Sequence, residues 1–93
     1  MAELWFDPEA DASLRVLEAD AKRAKLLRAV NAVLDQLEAD SGDASVRKIR
    51  FQAPALWCVT IVADRDEWAV LWEPHPTEVG DVMVHYVGPA SFA

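Results

Sequence analysis

Residues 55–62, Ala-Leu-Trp-Cys-Val-Thr-Ile-Val, decide how this chain folds. Two side-chain sets interleave here, Leu56/Cys58/Thr60/Val62 and Trp57/Val59/Ile61, and neither carries a charge. A buried helix is one reading of such a run. The β-branched and aromatic content, the short length and the flanking Pro54 and Asp64 favour a strand. A strand apolar on both faces belongs in the middle of a sheet, covered on at least one side and paired on both edges.

From Val46 to Gly88 the period stays at two. Val46–Gln52 alternates Arg47/Ile49/Phe51 with Val46/Lys48/Arg50, and Pro54 separates it from the central strand. Ala63-Asp64-Arg65-Asp66 reads as a polar turn into a third strand, Glu67–Glu73. Two prolines make residues 74–80 an irregular loop. Asp81–Gly88 closes the set, with Val82/Val84/Tyr86 alternating against Met83/His85/Val87. Such short connections predict an antiparallel meander.

Upstream the period is helical. Glu3–Phe6 reads as a short edge strand, and Asp7-Pro8 as a helix start with Asp as N-cap and acids in the first turn. The first apolar stripe is Ala10, Leu14, Leu17 and Ala21; the second is Leu26, Leu27, Val30, Val33, Leu34 and Leu37. At ~100° per residue the stripe centres lie roughly 160° apart. One straight helix would then face opposite ways at its two ends. A break near Ala19–Arg23, with Asp20 capping a second helix, folds the pair into a hairpin. One long helix buried by different partners at each end is the alternative. Gly42 reads as the left-handed stop after Asp40. The early bases Lys22, Arg23, Lys25 and Arg28 and the late acids Asp35, Glu38 and Asp40 oppose the second helix's dipole.

Helices followed by strands predict an α+β fold, with a helical hairpin on one face of a four-stranded antiparallel sheet. Ninety-three residues predict one domain, 1–93, with the edge segment and hairpin in 4–40 and the sheet in 46–88. Cys58 is the one cysteine, so no internal disulfide forms. It reads as a small core residue. No secretory signal and no membrane-length apolar run is visible, so the expectation is a soluble cytoplasmic protein.

The net charge of −7 disfavours broad nucleic-acid affinity. Residues 1–45 carry ten acids and five bases, residues 46–93 six acids and four bases. Three of those four bases cluster as Arg47, Lys48 and Arg50.

This layout resembles the RelE/ParE superfamily of toxins from bacterial toxin–antitoxin systems, over about residues 4–88. The likeness rests on the helix run 26–40, the hairpin Leu56-Trp57-Cys58-Val59-Thr60-Ile61 through Trp68-Ala69-Val70-Leu71-Trp72, and the closing Val82-Met83-Val84-His85-Tyr86-Val87-Gly88. It implies an α+β fold with an exposed sheet face. It also implies ribosome-dependent mRNA cleavage or gyrase poisoning, neutralised by an antitoxin partner. The departures lie in the charges. Cys58 and Thr60 stand where the family's aromatic-Arg-x-Arg strand has arginines, the next strand's arginine falls near Trp68 or Ala69, Asp40-Ser41 replaces Asp-Pro, and Pro89-Ala90 replaces His-Arg.

Metal-free RNA cleavage needs a base, an acid and a cation for the phosphorane. Lys48 and Arg50 are the candidate clamps, His85 the candidate acid or base, and Arg47 and Arg65 further phosphate contacts. Strict alternation keeps Tyr86 away from His85 unless a bulge intervenes. The bland reading makes these a solvated strand face, a surface or half-buried histidine and a core tyrosine. His75 and His85 with Glu73 or Glu78 match no specific zinc spacing. No glycine-rich phosphate loop and no nucleophile elbow is present, and no cofactor is expected. The competing class is a non-catalytic interaction module. Apolar side chains on an uncovered sheet face, with Trp68, Trp72 and Met83 as contacts, would bind a second copy or an antitoxin-like peptide.

Overall fold

The two side-chain sets of the central strand fare differently: Trp57, Val59 and Ile61 pack with the core, while on the other face Leu56 and Cys58 are buried and Thr60 and Val62 exposed. A computed structural model describes residues 2–47, 49–52, 55–63 and 65–90, with the backbone alone for residues 44, 49, 51, 52 and 55. The elements are β1 (Leu4–Phe6), α1 (Pro8–Glu18), α2 (Ala24–Asp40), β2 (Ile49–Gln52), β3 (Ala55–Ala63), β4 (Asp66–Pro74) and β5 (Val82–Pro89). They build an α+β fold. The sheet has the order β1-β5-β4-β3-β2. β2 to β5 form the expected antiparallel meander, and β1 adds to its edge in parallel with β5.

The helical segment breaks where the two stripes demand it. α1 ends at Glu18, a turn of 3-10 helix spans Ala21–Arg23, and α2 begins at Ala24. Asp20 accepts the Lys22 N–H at 3.0 Å and so starts that turn. The two stripes then face one sheet together. Ala10, Leu14 and Leu17 of α1 and Leu26, Val30, Leu34 and Leu37 of α2 share a core with Ile61, Trp68, Val70, Trp72, Val82, Val84 and Val87. Ala21, the outlying member of the first stripe, is exposed.

Two local expectations are corrected. Gly42 does not take a left-handed conformation; among the described glycines only Gly80 does, at φ 89° in the loop before β5. α2 ends instead with Asp40 turning its carboxylate onto the Gly42 N–H at 2.9 Å, and Asp43 donating to the Asp40 carbonyl. Residues 44–46 are a turn of 3-10 helix and not the start of a strand. Val46 is drawn into the core there, and its carbonyl accepts the Trp72 indole N–H at 3.0 Å.

That bond makes Trp72, fully buried, a joint between the helix layer and the connection into β2. Trp72→Phe removes the donor, orphans the carbonyl and leaves a void. We expect a loss of about 2–3 kcal/mol in urea unfolding. Val62→Thr, at a position 73% exposed on the other sheet face, should change stability by less than about 0.5 kcal/mol. Similar losses from both would refute this assignment of layers.

Candidate functional site on the far sheet face

The sheet face turned away from the helices carries a cluster that a break in strand register creates. Leu71 pairs with Tyr86 and Trp72 with Val84, so His85 is an extra residue in β5. Val82, Val84 and Val87 therefore all reach the core. Met83, His85 and Tyr86 go to the far face. Strict alternation would have paired Tyr86 with Val82 and Val84, and would have sent Val87 out. The reading of Tyr86 as core is thus corrected by the bulge. Its hydroxyl donates to the Pro89 carbonyl at 2.6 Å, and the ring lies across Gly88. A Cβ on Gly88 would meet that hydroxyl oxygen at 2.8 Å, so only glycine leaves room for the ring.

His85 lies between two carboxylates. Asp7 Oδ2, at the junction of β1 and α1, is 2.8 Å from Nδ1, and Glu73 Oε2 on β4 is 2.5 Å from Nε2. A carboxylate only accepts, so the form of the ring that donates to both is the protonated one. Its burial alone would push the pKa down. The hydrogen bonds and charges of Asp7 and Glu73 outweigh this and raise it above the ordinary 6.5. The arrangement does not converge on a metal position. The two carboxylates engage opposite nitrogens of one ring, and an ion bound at either nitrogen cannot reach both. Among the described residues no group of three or more His, Cys, Asp or Glu side chains is placed to hold an ion.

A second polar knot adjoins it. Asp81 accepts from the Glu3 N–H at 3.0 Å and the Trp5 indole at 3.1 Å, and both bonds hold its carboxyl below the usual range. The Trp5 ring is 4.9 Å from the His75 ring. His75 Nδ1 accepts the N–H groups of Thr77 and Glu78. This knot ties β1 to the loop before β5, and Trp5 remains 41% exposed.

Among the described residues no basic side chain joins His85. Arg50 lies over the Trp57 ring at 4.7 Å, and Arg47 over Trp57 and Trp72 at 5.4 and 5.3 Å. Trp57 and Trp72 are cross-strand partners on the helix-side face, with ring centroids 6.5 Å apart. Arg50 and His85 thus occupy opposite faces, on strands three spacings or roughly 14 Å apart. Lys48 lies outside the described residues. Arg65 sits exposed in the β3–β4 turn. Trp68 and Trp72 are 5% and 0% exposed, in the core under the helices and not on an uncovered face. Met83 is half-buried on the far face. Leu56, Cys58 and Ala69 are buried there too, so that face is mixed and not a dry apolar patch. Burial raises the Cys58 thiol pKa, which disfavours the reactive thiolate.

Sequence reasoning took Asp7 as a helix cap and Glu73 as a weak metal candidate, and missed their joint grip on His85. The valine spacing held the signal. Val82, Val84 and Val87 are two and then three residues apart, which is how a core-facing strand reads across a bulge.

No protein-family model matches the chain, and no curated protein matches it. Among the described residues no helix is long and apolar enough to cross a membrane.

Two outcomes follow from the clamp and its neighbour. With a raised folded pKa, the charged His85 contributes stability that is complete below pH 6.5 and is lost as pH rises through the folded value. The melting temperature of the native chain should therefore fall more steeply above pH 6.5 than that of His85→Gln. At pH 6 the variant should be about 1 kcal/mol less stable, a discounted figure because all three groups are roughly a third exposed to solvent. Parallel pH profiles would remove the clamp from the stability account. Gly88→Ala should cost about 0.5–1.5 kcal/mol by displacing the Tyr86 hydroxyl from Pro89, read in urea unfolding; an unchanged midpoint would place the ring elsewhere.

Proposed function

We propose that the protein is a toxin-like component of a toxin–antitoxin module of the RelE/ParE kind, and that it works through protein contacts on the far sheet face. The observation that carries the second part is the occupation of His85. Both ring nitrogens are committed to carboxylates, while Arg47 and Arg50 are stacked on tryptophans across the sheet. A phosphodiester approaching His85 would meet Asp7 and Glu73 first, and those charges repel it. The net charge of −7 works in the same direction. Asp7 and Glu73, half-buried like their neighbours Leu71, Met83 and Tyr86, suit a basic protein surface better than RNA. An antitoxin-like protein or a second copy is the partner class this reading names.

The bulge supports a second reading, mRNA endonuclease. It sets His85 and Tyr86 on one face, where an acid and a base of RNA cleavage would both have to stand.

One pair of measurements separates them. Purified protein is added at micromolar concentration to a cell-free translation reaction, and mRNA 5′ ends are mapped. Intact mRNA is expected. Codon-phased cuts that vanish in His85→Gln would make the nuclease reading primary. In parallel, induced expression in a bacterial host should slow growth, and Met83→Lys should relieve it without shifting the melting temperature. Normal growth together with intact mRNA would sink the toxin reading altogether.

A further inference from the structure

Asp7 stands at the N-cap of α1 yet does not cap it. Its backbone has the extended cap conformation, with φ −61° and ψ 148°, Pro8 follows at the first helical position, and the Asp7 carbonyl accepts the Asp11 N–H at 3.0 Å. Aspartate there ordinarily turns its carboxylate back onto the second or third amide of the helix, here Glu9 or Ala10. No such bond is made. The carboxylate is on His85 Nδ1 instead. A depression of about 370 Å³ opens beside Asp7, Pro8 and Glu9, so the side chain has room to turn.

We propose that Asp7 is a two-position carboxylate, bound to His85 when that ring is protonated and to the N-terminus of α1 when it is neutral, so that proton loss exposes His85 Nδ1 on the far face. The two positions differ by a side-chain rotation between staggered rotamers, with the backbone already set for both. A neutral imidazole keeps one N–H. Glu73 makes the shorter bond and retains it at Nε2. Nδ1 then presents a lone pair to an Asp7 oxygen, and the contact turns repulsive. The helix dipole and the unpartnered first-turn amides offer the carboxylate an alternative close by. The groups that bear on the ring are Asp7 from the β1–α1 junction and Glu73 from β4. On β5 itself the neighbouring Tyr86 hydroxyl is turned to Pro89. Glu9 stands in the same first turn as the amides that receive Asp7. A cap exchanged in this way ties the protonation of one surface histidine to the order of the first turn of α1. It also frees a nitrogen at the centre of the far face.

The test is a pH series of amide and histidine-ring NMR spectra on the full chain, from about pH 5.5 to about 9.5, across the ordinary histidine range. Glu9 and Ala10 amide protons should move downfield as pH rises, with the midpoint of the His85 ring carbons. In His85→Gln, whose amide does not titrate, both should stay flat. In Asp7→Ala the ring should titrate at a lower pH while the two amides stay still, which keeps the test intact if the first variant fails to fold. Amides that do not move in the native chain, or that move equally in Asp7→Ala, would overturn the exchange.

Discussion

One register shift organises this molecule. β5 lies between β4 and the parallel β1 and lines the core with Val82, Val84 and Val87. A strand of period two cannot place all three inside, because the spacing from Val84 to Val87 is odd. The bulge absorbs the extra residue, and that residue is His85. The core is satisfied first, and the histidine is delivered to the far face as the remainder. Close packing explains the order of priority. Each of the three valines is essentially fully buried, and turning one outward would forfeit its transfer free energy and open a void.

The same shift decides the electrostatics. His85 arrives where the β1–α1 junction brings Asp7 and where β4 presents Glu73. A cation between two anions is a stable arrangement and a poor receptor for a third anion. The arginines have gone to the other side of the sheet, where tryptophan faces hold Arg47 and Arg50 near the entry to β2. Arg47 also donates from Nε to the Ser41 carbonyl at 2.7 Å, which holds the end of α2 against the stack. These charges serve the joining of elements, and the far face is left acidic. This distribution of charge supports the proposed contact with protein.

Charge near the helices follows the same economy. α2 starts without a side-chain cap, and its basic first residues oppose the dipole. Arg23 is relieved by Asp20 at 3.6 Å and by Asp66 across to β4 at 4.0 Å. α1 has its acids in the first turn, where the dipole favours them, yet lends its cap carboxylate to the sheet. Each exchange joins elements distant in the chain at some local cost to a helix end.

The elements themselves were legible in the residues. The change of period from about 3.6 to two separated helices from strands, the opposed stripes placed the break at residues 19–23, and the uncharged run 55–62 marked the sheet's interior. These are local properties, set by which side chains must avoid water. The site was not legible in the same way. Whether Arg50 and His85 share a face depends on strand order and on one inserted residue, and neither is encoded in the pattern of a single strand. The grip of Asp7 on His85 joins positions 78 residues apart. The residues by themselves determine an acidic α+β domain; that Trp68 and Trp72 lie in the core, and not on the uncovered face expected of them, follows from how the strands pair. Only the tertiary structure decided which charges meet, because register and pairing are settled by the packing of the whole core.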